Sequence, residues 1–366
     1  VNYWTGVKGK KFEKNFSKFA GVNYSLALSN GTHALEIALK SLKIKNNDDV
    51  IVSCKSFVAS ASVVLGVGAK PIFSDIDLNS QNITLESIKN CITKNTKAII
   101  LVHLAGMPCE LNEILKYCKN KKIKVIEDCS QAHGAKYYNK SVGSFGDIGT
   151  WSFCNDKIIS TGGEGGMITT NSKLIYEFCR SYRDHGKNLN KKINDNYAFK
   201  WMHDNYGSNY RITEIQSAIG INQLKKINMW NNIRKKNSNL LDRVFLKYNK
   251  IFRIQKVPKY IKHAWYKYYV FLTDGAIKNG IDNKKIIKLF RVNNVICFEG
   301  ACPEIYLEKC FTKKKLGPNI RLKNAKKLSK ASIMFQIDPT FDTQTMKKIC
   351  LKIDNLINVI KKDYKF

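Results

Sequence analysis

The 366-residue sequence predicts an α/β fold: a mainly parallel sheet in a large domain, followed by a smaller C-terminal α+β domain. Three observations lead there. Short apolar, β-branched runs recur from residue 24 onward, amphipathic stretches separate them, and beyond about residue 248 the runs become sparser. Continuous apolar strands alternating with helices mark a parallel sheet covered on both faces. Such sheets bind ligands in the crevice beyond the carboxyl ends of their strands.

Tyr24-Ser-Leu-Ala-Leu28 is the first strand. Residues 32–42 follow as a helix with Ala34, Leu35, Ala38, Leu39 and Leu42 on one face. Asp49-Val-Ile-Val52, Lys70-Pro-Ile-Phe73, Ala98-Ile-Ile-Leu-Val102 and Ile123-Lys-Val-Ile-Glu127 are the next strands, with helices starting at Phe57, Thr84 and Cys109 between them. Residues 148–153 and 167–170 add two strands, and residues 174–183 a helix. The polar stretch 184–207, with Asn188, Asn190, Asn194 and Asn196, is expected as a mobile loop. Thr213 is placed to cap a long helix reaching about Tyr248. Strands at 266–272, 294–298 and 332–335 and an amphipathic helix at 343–361 complete the chain. The domain boundary is drawn at 235/236, giving residues 1–235 and 236–366.

Composition narrows the classes. A hydrophobic content of 44% is ordinary for a globular protein. The N-terminus lacks an apolar signal core, and the longest weakly polar run, 58–69, falls short of the roughly 20 residues a membrane helix needs. A cytoplasmic protein is expected. The chain opens on valine within motif-bearing sequence, so an upstream segment is expected to precede it.

Eleven scattered cysteines with no C-x-x-C pair read as reduced thiols. Cys297 and Cys302 have no histidine at zinc-ligand spacing, and no metal is expected. The net charge of +33 raises nucleic-acid binding. Yet the basic clusters at 8–11, 119–122 and 313–315 are dispersed, and no nucleic-acid motif accompanies them. An anionic substrate suits the same surface.

The chemistry gathers around Lys157, set between an apolar strand and Gly162-Gly-Glu-Gly-Gly166. With 62 basic residues, the plain reading of any one lysine is a solvated charge. Lys157 departs from it by its setting, because a lysine on such a loop can form a Schiff base with an aldehyde cofactor. Asp128 ends the strand Val125-Ile-Glu-Asp128, where a carboxylate can sit under a pyridine nitrogen or cap a helix. Gln131 is in reach of the ring hydroxyl. Ser29-Asn-Gly-Thr32 turns a strand into a helix and aims the Gly31 and Thr32 amides at a phosphate. Phe57 faces the same crevice unless it packs in the core, and Ser152 ends the next strand. Together these residues point to pyridoxal 5'-phosphate.

Ordered motifs strengthen that reading. They are Ser29-Asn-Gly-Thr-His-Ala-Leu35, Ser56-Phe-Val-Ala-Ser60, Ala69-Lys-Pro-Ile-Phe-Ser-Asp-Ile-Asp77, Val102-His-Leu-Ala-Gly106 and Glu127-Asp-Cys-Ser-Gln-Ala-His-Gly-Ala135. Gly146-Asp-Ile-Gly-Thr-Trp-Ser-Phe153, the lysine loop and Asn209-Tyr-Arg-Ile-Thr-Glu-Ile-Gln-Ser-Ala-Ile-Gly220 follow. The set resembles the DegT/DnrJ/EryC1/StrS family of sugar aminotransferases, most specifically up to about residue 227.

The resemblance implies a type I aminotransferase fold, with residues 1–235 binding the cofactor, in a homodimer with shared active sites. It implies that Lys157 carries pyridoxal phosphate, Asp128 holds the pyridine nitrogen, Gln131 contacts the ring hydroxyl and Phe57 stacks on the ring. Gly31, Thr32 and Ser152 would hold the phosphate, and Asn209 would reach in from the other subunit. Glutamate is the implied amino donor. The implied acceptor is a nucleotide-linked keto-deoxy sugar, commonly aminated at C4, on the way to a surface glycan or polysaccharide.

Departures from the family pattern bear on the sugar. The lysine loop reads Phe153-Cys-Asn-Asp-Lys157 where many members carry a proline, His33 replaces a small residue, and Cys297-Phe-Glu-Gly-Ala-Cys-Pro-Glu304 differs from a proline-rich loop. His185 and His263 are candidate substrate contacts, with structural histidines as the equal alternative. A 3-keto sugar aminotransferase, and a dehydratase in which histidine replaces the lysine, share the scaffold. A regulatory protein and a nucleic-acid-binding protein are the readings outside enzymology. The motifs leave GDP, UDP and dTDP open.

Overall fold

The computed structural model describes residues 6–188 and 203–363. It begins with a helix that the sequence reading did not anticipate, α1 (Val7–Ala20). Phe12, Phe16 and Ala20 are buried at helical spacing, and Gly21 closes the helix at φ 68°, a left-handed conformation that glycine adopts without strain.

Strands and helices then alternate as expected: β1 (Tyr24–Leu28), α2 (Gly31–Ser41), β2 (Asp49–Ser53), α3 (Ala59–Gly66), β3 (Lys70–Ser74), α4 (Leu85–Lys89), β4 (Thr96–Val102), α5 (Leu111–Lys121) and β5 (Lys124–Asp128). Helices α3 and α5 start slightly later than Phe57 and Cys109, which belong to the preceding turns. A short ribbon, β6 (Lys136–Tyr137) and β7 (Lys140–Ser141), precedes β8 (Ile148–Ser152), β9 (Gly166–Thr170), α6 (Lys173–Arg183) and α7 (Glu214–Leu246). Thr213 caps α7 in a reciprocal box with Gln216, satisfying amides that the helix start leaves open.

The C-terminal part holds β10 (Phe252–Ile254), β11 (Ile261–Lys262), β12 (Tyr268–Leu272), α8 (Asp274–Lys278), α9 (Asn283–Val292), β13 (Cys297–Phe298), α10 (Lys309–Thr312), α11 (Lys323–Ala331), β14 (Ser332–Phe335) and α12 (Thr343–Asp363). Two expected strands are shorter than the sequence reading gave. Asn294 turns at φ 61° after α9, so the strand at 294–298 shrinks to β13. Trp265 sits at φ 51° and the Tyr266 amide bonds to Ala105, so β12 starts only at Tyr268.

The main sheet has the order β1-β9-β8-β5-β4-β2-β3. Strand β9 runs antiparallel to β1 and β8, while the remaining pairs are parallel. Every residue of β2 and β8 is buried, as suits strands covered on both faces. A second, antiparallel sheet has the order β10-β12-β14-β13, and β11 joins the β6–β7 ribbon. Position 235/236 lies within α7, which packs on both α1 and α12.

Across the two parts, Asp75 accepts from the Asn324 and Ala325 amides at 2.9 and 3.0 Å and so caps α11 from a distant loop. In the expected mobile loop, Asp184 bridges to Asn209 and Lys187 to His203. Asn190, Asn194 and Asn196 lie outside the described residues. No described helix is long and apolar enough to cross a membrane.

Candidate active site

Strand β5 delivers two carboxylates to opposite faces of the sheet, because side chains alternate along a strand. Asp128 is buried, and its Oδ2 accepts from the Ser60 hydroxyl at 2.9 Å while Oδ1 accepts from the Ser130 amide at 3.1 Å. Glu127 accepts from the Gly143, Phe145 and Gly146 amides at 2.8, 2.7 and 2.8 Å and from His103 Nε2 at 3.1 Å. Burial alone would raise the Glu127 carboxyl, but His103 and the amides hold it below the usual carboxylate range. His103 Nδ1 accepts from the Cys109 amide at 3.0 Å, which leaves the proton on Nε2.

Among the described residues, His103, Glu127 and Cys129 bring ligand-type atoms within 4.8 Å of one another. Cys129 Sγ is itself 3.7 Å from the Glu127 carbonyl, so protein groups already engage all three. They brace the end of β5.

Helix α2 starts beside that strand end. Asn30 caps it by accepting from the His33 amide at 2.8 Å, leaving the first-turn amides of Gly31 and Thr32 for a ligand. A Cβ on Gly31 would stand 2.6 Å from the Ser152 Cβ, so only glycine lets α2 meet the end of β8 this closely. Gly166 has the same role on β9, where a Cβ would lie 2.2 Å from the Asn30 carbonyl oxygen.

Gln131 Oε1 accepts from the Ala105 amide at 2.8 Å. That contact fixes the amide orientation and leaves Nε2 as a donor. Phe57 is 66% exposed, with one face of its ring open. Lys157 Nζ donates to Asp156 Oδ1 at 3.0 Å and lies 5.3 Å from the centroid of the Tyr266 ring. Tyr266 donates its hydroxyl to the other Asp156 oxygen. Burial would raise the Asp156 carboxyl, but Tyr266 and Lys157 keep it below the usual range.

Gly31, Thr32, Phe57, Asp128, Gln131, Ser152 and Lys157 line one cavity of about 520 Å³. It adjoins a second of about 390 Å³, which shares Ser56, Phe57, Gln131, Asp156 and Lys157 and adds Tyr266, Lys267, Tyr269, Phe298 and Met334. Three expected residues lie elsewhere. Asn209 is exposed and lines neither cavity of its own chain. His185 is exposed on a turn at φ 59°. His263 is buried, stacked on Trp265 at 4.1 Å, with Nδ1 accepting from the Trp265 amide at 2.7 Å.

The sequence reading passed over Ser60, Asp156, Tyr266 and Lys267. Asp156 was visible as an acid next to the lysine. Tyr266 meets it only through a contact spanning 110 residues, which no local pattern announces.

A profile of the DegT/DnrJ/EryC1/StrS aminotransferase family matches residues 2–354. The chain belongs to that family. GDP-perosamine synthase of Escherichia coli O157:H7 is 34% identical over 309 residues, covering 84% of this chain and 81% of that protein. The solved aminotransferase of Psychrobacter cryohalolentis superposes with a TM-score of 0.95 at 39% identity, over 98% of this chain and 93% of that one. The E. coli GDP-4-keto-6-deoxy-D-mannose-3-dehydratase, solved with bound hydrated PLP, gives 0.85 at 26% identity over 95% and 92% of the two chains.

The protein is therefore a pyridoxal phosphate-dependent aminotransferase of the type I fold. Its cavity fits that cofactor: glycine-opened amides and hydroxyls at one end, a buried carboxylate and a fixed amide donor along the side, an open aromatic face, and an amine.

Proposed function

We propose that this aminotransferase moves an amino group from glutamate to a nucleotide-linked keto-deoxy sugar, specifically a 4-keto-6-deoxyhexose, for a surface glycan or polysaccharide. The observation that carries the proposal is Lys157 sharing one cavity with Asp128 and opening onto a second, aromatic-walled cavity large enough for a sugar. The GDP-perosamine synthase relative supports the sugar class.

When bound, pyridoxal phosphate supplies an aldehyde for amines and a protonated ring that draws off carbanion charge. Asp128, steadied by Ser60, would keep the ring nitrogen protonated. Gln131 Nε2, left free by the Ala105 contact, would donate to the ring hydroxyl, and Phe57 would cover the ring face. The α2 amides, Thr32 and Ser152 would hold the phosphate. Lys157 would hold the cofactor, and its amine, freed when the donor binds, would take the proton from the Cα of glutamate and later deliver a proton to the acceptor carbon of the sugar. After 2-oxoglutarate leaves, the keto sugar occupies the same space and the transfer runs in reverse. Tyr269, Phe298 and Met334 line the space it would occupy. In a homodimer, Asn209 of one subunit completes the phosphate site of the other.

Lys157 sets this reading apart from the dehydratase one, which needs histidine at that position. The test is glutamate-dependent amination across GDP-, UDP- and dTDP-linked 3-keto and 4-keto sugars, read by mass spectrometry. An amino sugar from a 4-keto substrate is expected. Amination of 3-keto sugars alone, dehydration, or no product from any of them overturns the proposal.

A further inference from the structure

Lys157 is not the only ammonium facing the paired cavities. Lys267 lines the smaller one, with Nζ 4.7 Å from the centroid of the same Tyr266 ring that lies 5.3 Å from Lys157 Nζ. The two cations thus flank one aromatic side chain.

No described carboxylate forms an ion pair with Lys267. Asp156, the acid on this wall, already receives the Tyr266 hydroxyl and the Lys157 ammonium. Arg234, behind the ring, is occupied by the Tyr266 carbonyl at 3.4 Å and Asp338 at 3.7 Å. Burial lowers the Lys267 pKa, and Arg234 and Lys157 add to that effect against Asp156 and Asp338. Apart from Ser56 and Gln131 the remaining wall is largely aromatic and apolar, where an incoming anion is screened less than in water. A half-buried cation with no direct ion pair among the described residues, its nearest carboxylate already shared with Lys157 and Tyr266, is a place for an anion carried by the substrate.

We propose that Lys267 binds the distal carboxylate of the amino donor and so selects a dicarboxylic amino acid over neutral ones. The inference rests on the glutamate-dependent transfer proposed above. The reacting carbon of the donor must lie at Lys157, and a glutamate side chain can pass the Tyr266 ring to reach Lys267. A diphosphate fits this wall less well. It carries more charge than one ammonium offsets, and it is characteristically held by clustered amides or several cations.

The first readout needs no cofactor and no turnover. Calorimetric titration of cofactor-free protein with glutarate should show binding that weakens roughly 10-fold or more in Lys267→Gln and Lys267→Met, while Lys267→Arg retains it. Titration with GDP and UDP should be unchanged in all three. In the loaded protein, single-turnover amino transfer should favour glutamate over glutamine in the wild type, and that preference should collapse in Lys267→Met.

Unaltered glutarate binding in Lys267→Met, or loss of nucleotide binding instead, overturns the inference. Matching circular dichroism and melting curves exclude misfolding. A wild type that accepts no amino group from glutamate sinks the proposed function itself. A wild type that does, beside a Lys267→Met variant with undiminished preference for glutamate, sinks only the role of Lys267.

Discussion

Ser60 donates its hydroxyl proton to Asp128 at 2.9 Å and ties α3 to the carboxyl end of β5. The bond orients the carboxylate proposed to meet the ring nitrogen, and it ties that residue to the segment that follows Phe57. Replacing Asp128 by Asn should lower the single-turnover rate with glutamate at least about 100-fold, because an amide cannot hold the ring proton. Ser60→Ala should cost only about 10-fold, the worth of one hydrogen bond to a charged group. Equal losses would show that Ser60 does more than orient Asp128.

The contact between Gly31 and Ser152 sets a second expectation. A methyl at Gly31 meets the Ser152 Cβ at 2.6 Å, so the start of α2 must shift away from the proposed phosphate site. Gly31→Ala should weaken pyridoxal phosphate binding about 10-fold or more, as overpacking of a close contact costs on the order of 1–3 kcal/mol. Fluorescence titration of cofactor-free protein measures it.

Asp75 reaches across the molecule to cap α11 through two amides, at 2.9 and 3.0 Å. Asp75→Ala should lower the unfolding free energy by about 1 kcal/mol, the usual worth of a helix cap. Urea denaturation with an unchanged m-value checks this, and an unchanged midpoint would contradict it.

Lys55 carries a pH signature. It is fully buried, donates to Ser332 Oγ at 3.0 Å, and sits 5.3 Å from the centroid of the Tyr269 ring. Burial brings it down from 10.5 to about 7, against the opposing influence of Cys54 and Cys302. Between those two values the unfolded chain holds the proton that the folded chain has shed, so stability rises with pH across that window and the penalty is full below it. Lys55→Met should therefore stabilise the protein most at pH 7 and below, by a few kcal/mol, and progressively less towards pH 10.5. Melting curves from pH 6 to 10 would show the gap closing; a constant gap refutes the assignment.

The acid side belongs to His133 and His263. Burial lowers each from 6.5 to about 3, with Lys157 and Arg234 adding to the effect at His133. Both rings fold neutral, so stability is complete above pH 6.5 and is lost as pH falls towards 3. His133 packs near the Trp151 and Phe153 rings at 5.3 and 5.6 Å, so a similar-sized apolar side chain can take its place. His133→Phe should flatten part of the acid limb, measured by denaturation between pH 4 and 7.

Asp128 and Lys157, expected from their strand-end settings, line one cavity because a parallel sheet delivers side chains from successive strand ends to one crevice. Thr213 announced α7 through a local box with Gln216, a signal that is complete within four residues. Helix α1 was missed although Phe12 and Phe16 have the right spacing, because its lysine-rich sequence masks a buried face that only α7 and β1 reveal. Lys55 reads as an ordinary loop lysine between Cys54 and Ser56; its burial comes from β12 and β14, far along the chain. The Asp156–Tyr266–Lys267 wall is likewise tertiary, as is the interior position of His263.

Borohydride reduction of the pyridoxal phosphate-loaded protein, followed by peptide mass mapping, tests the central claim most directly. The account expects a single pyridoxyl adduct on Lys157, together with loss of the visible or near-ultraviolet absorbance band and of amino transfer. An adduct on another lysine, or none, would contradict it.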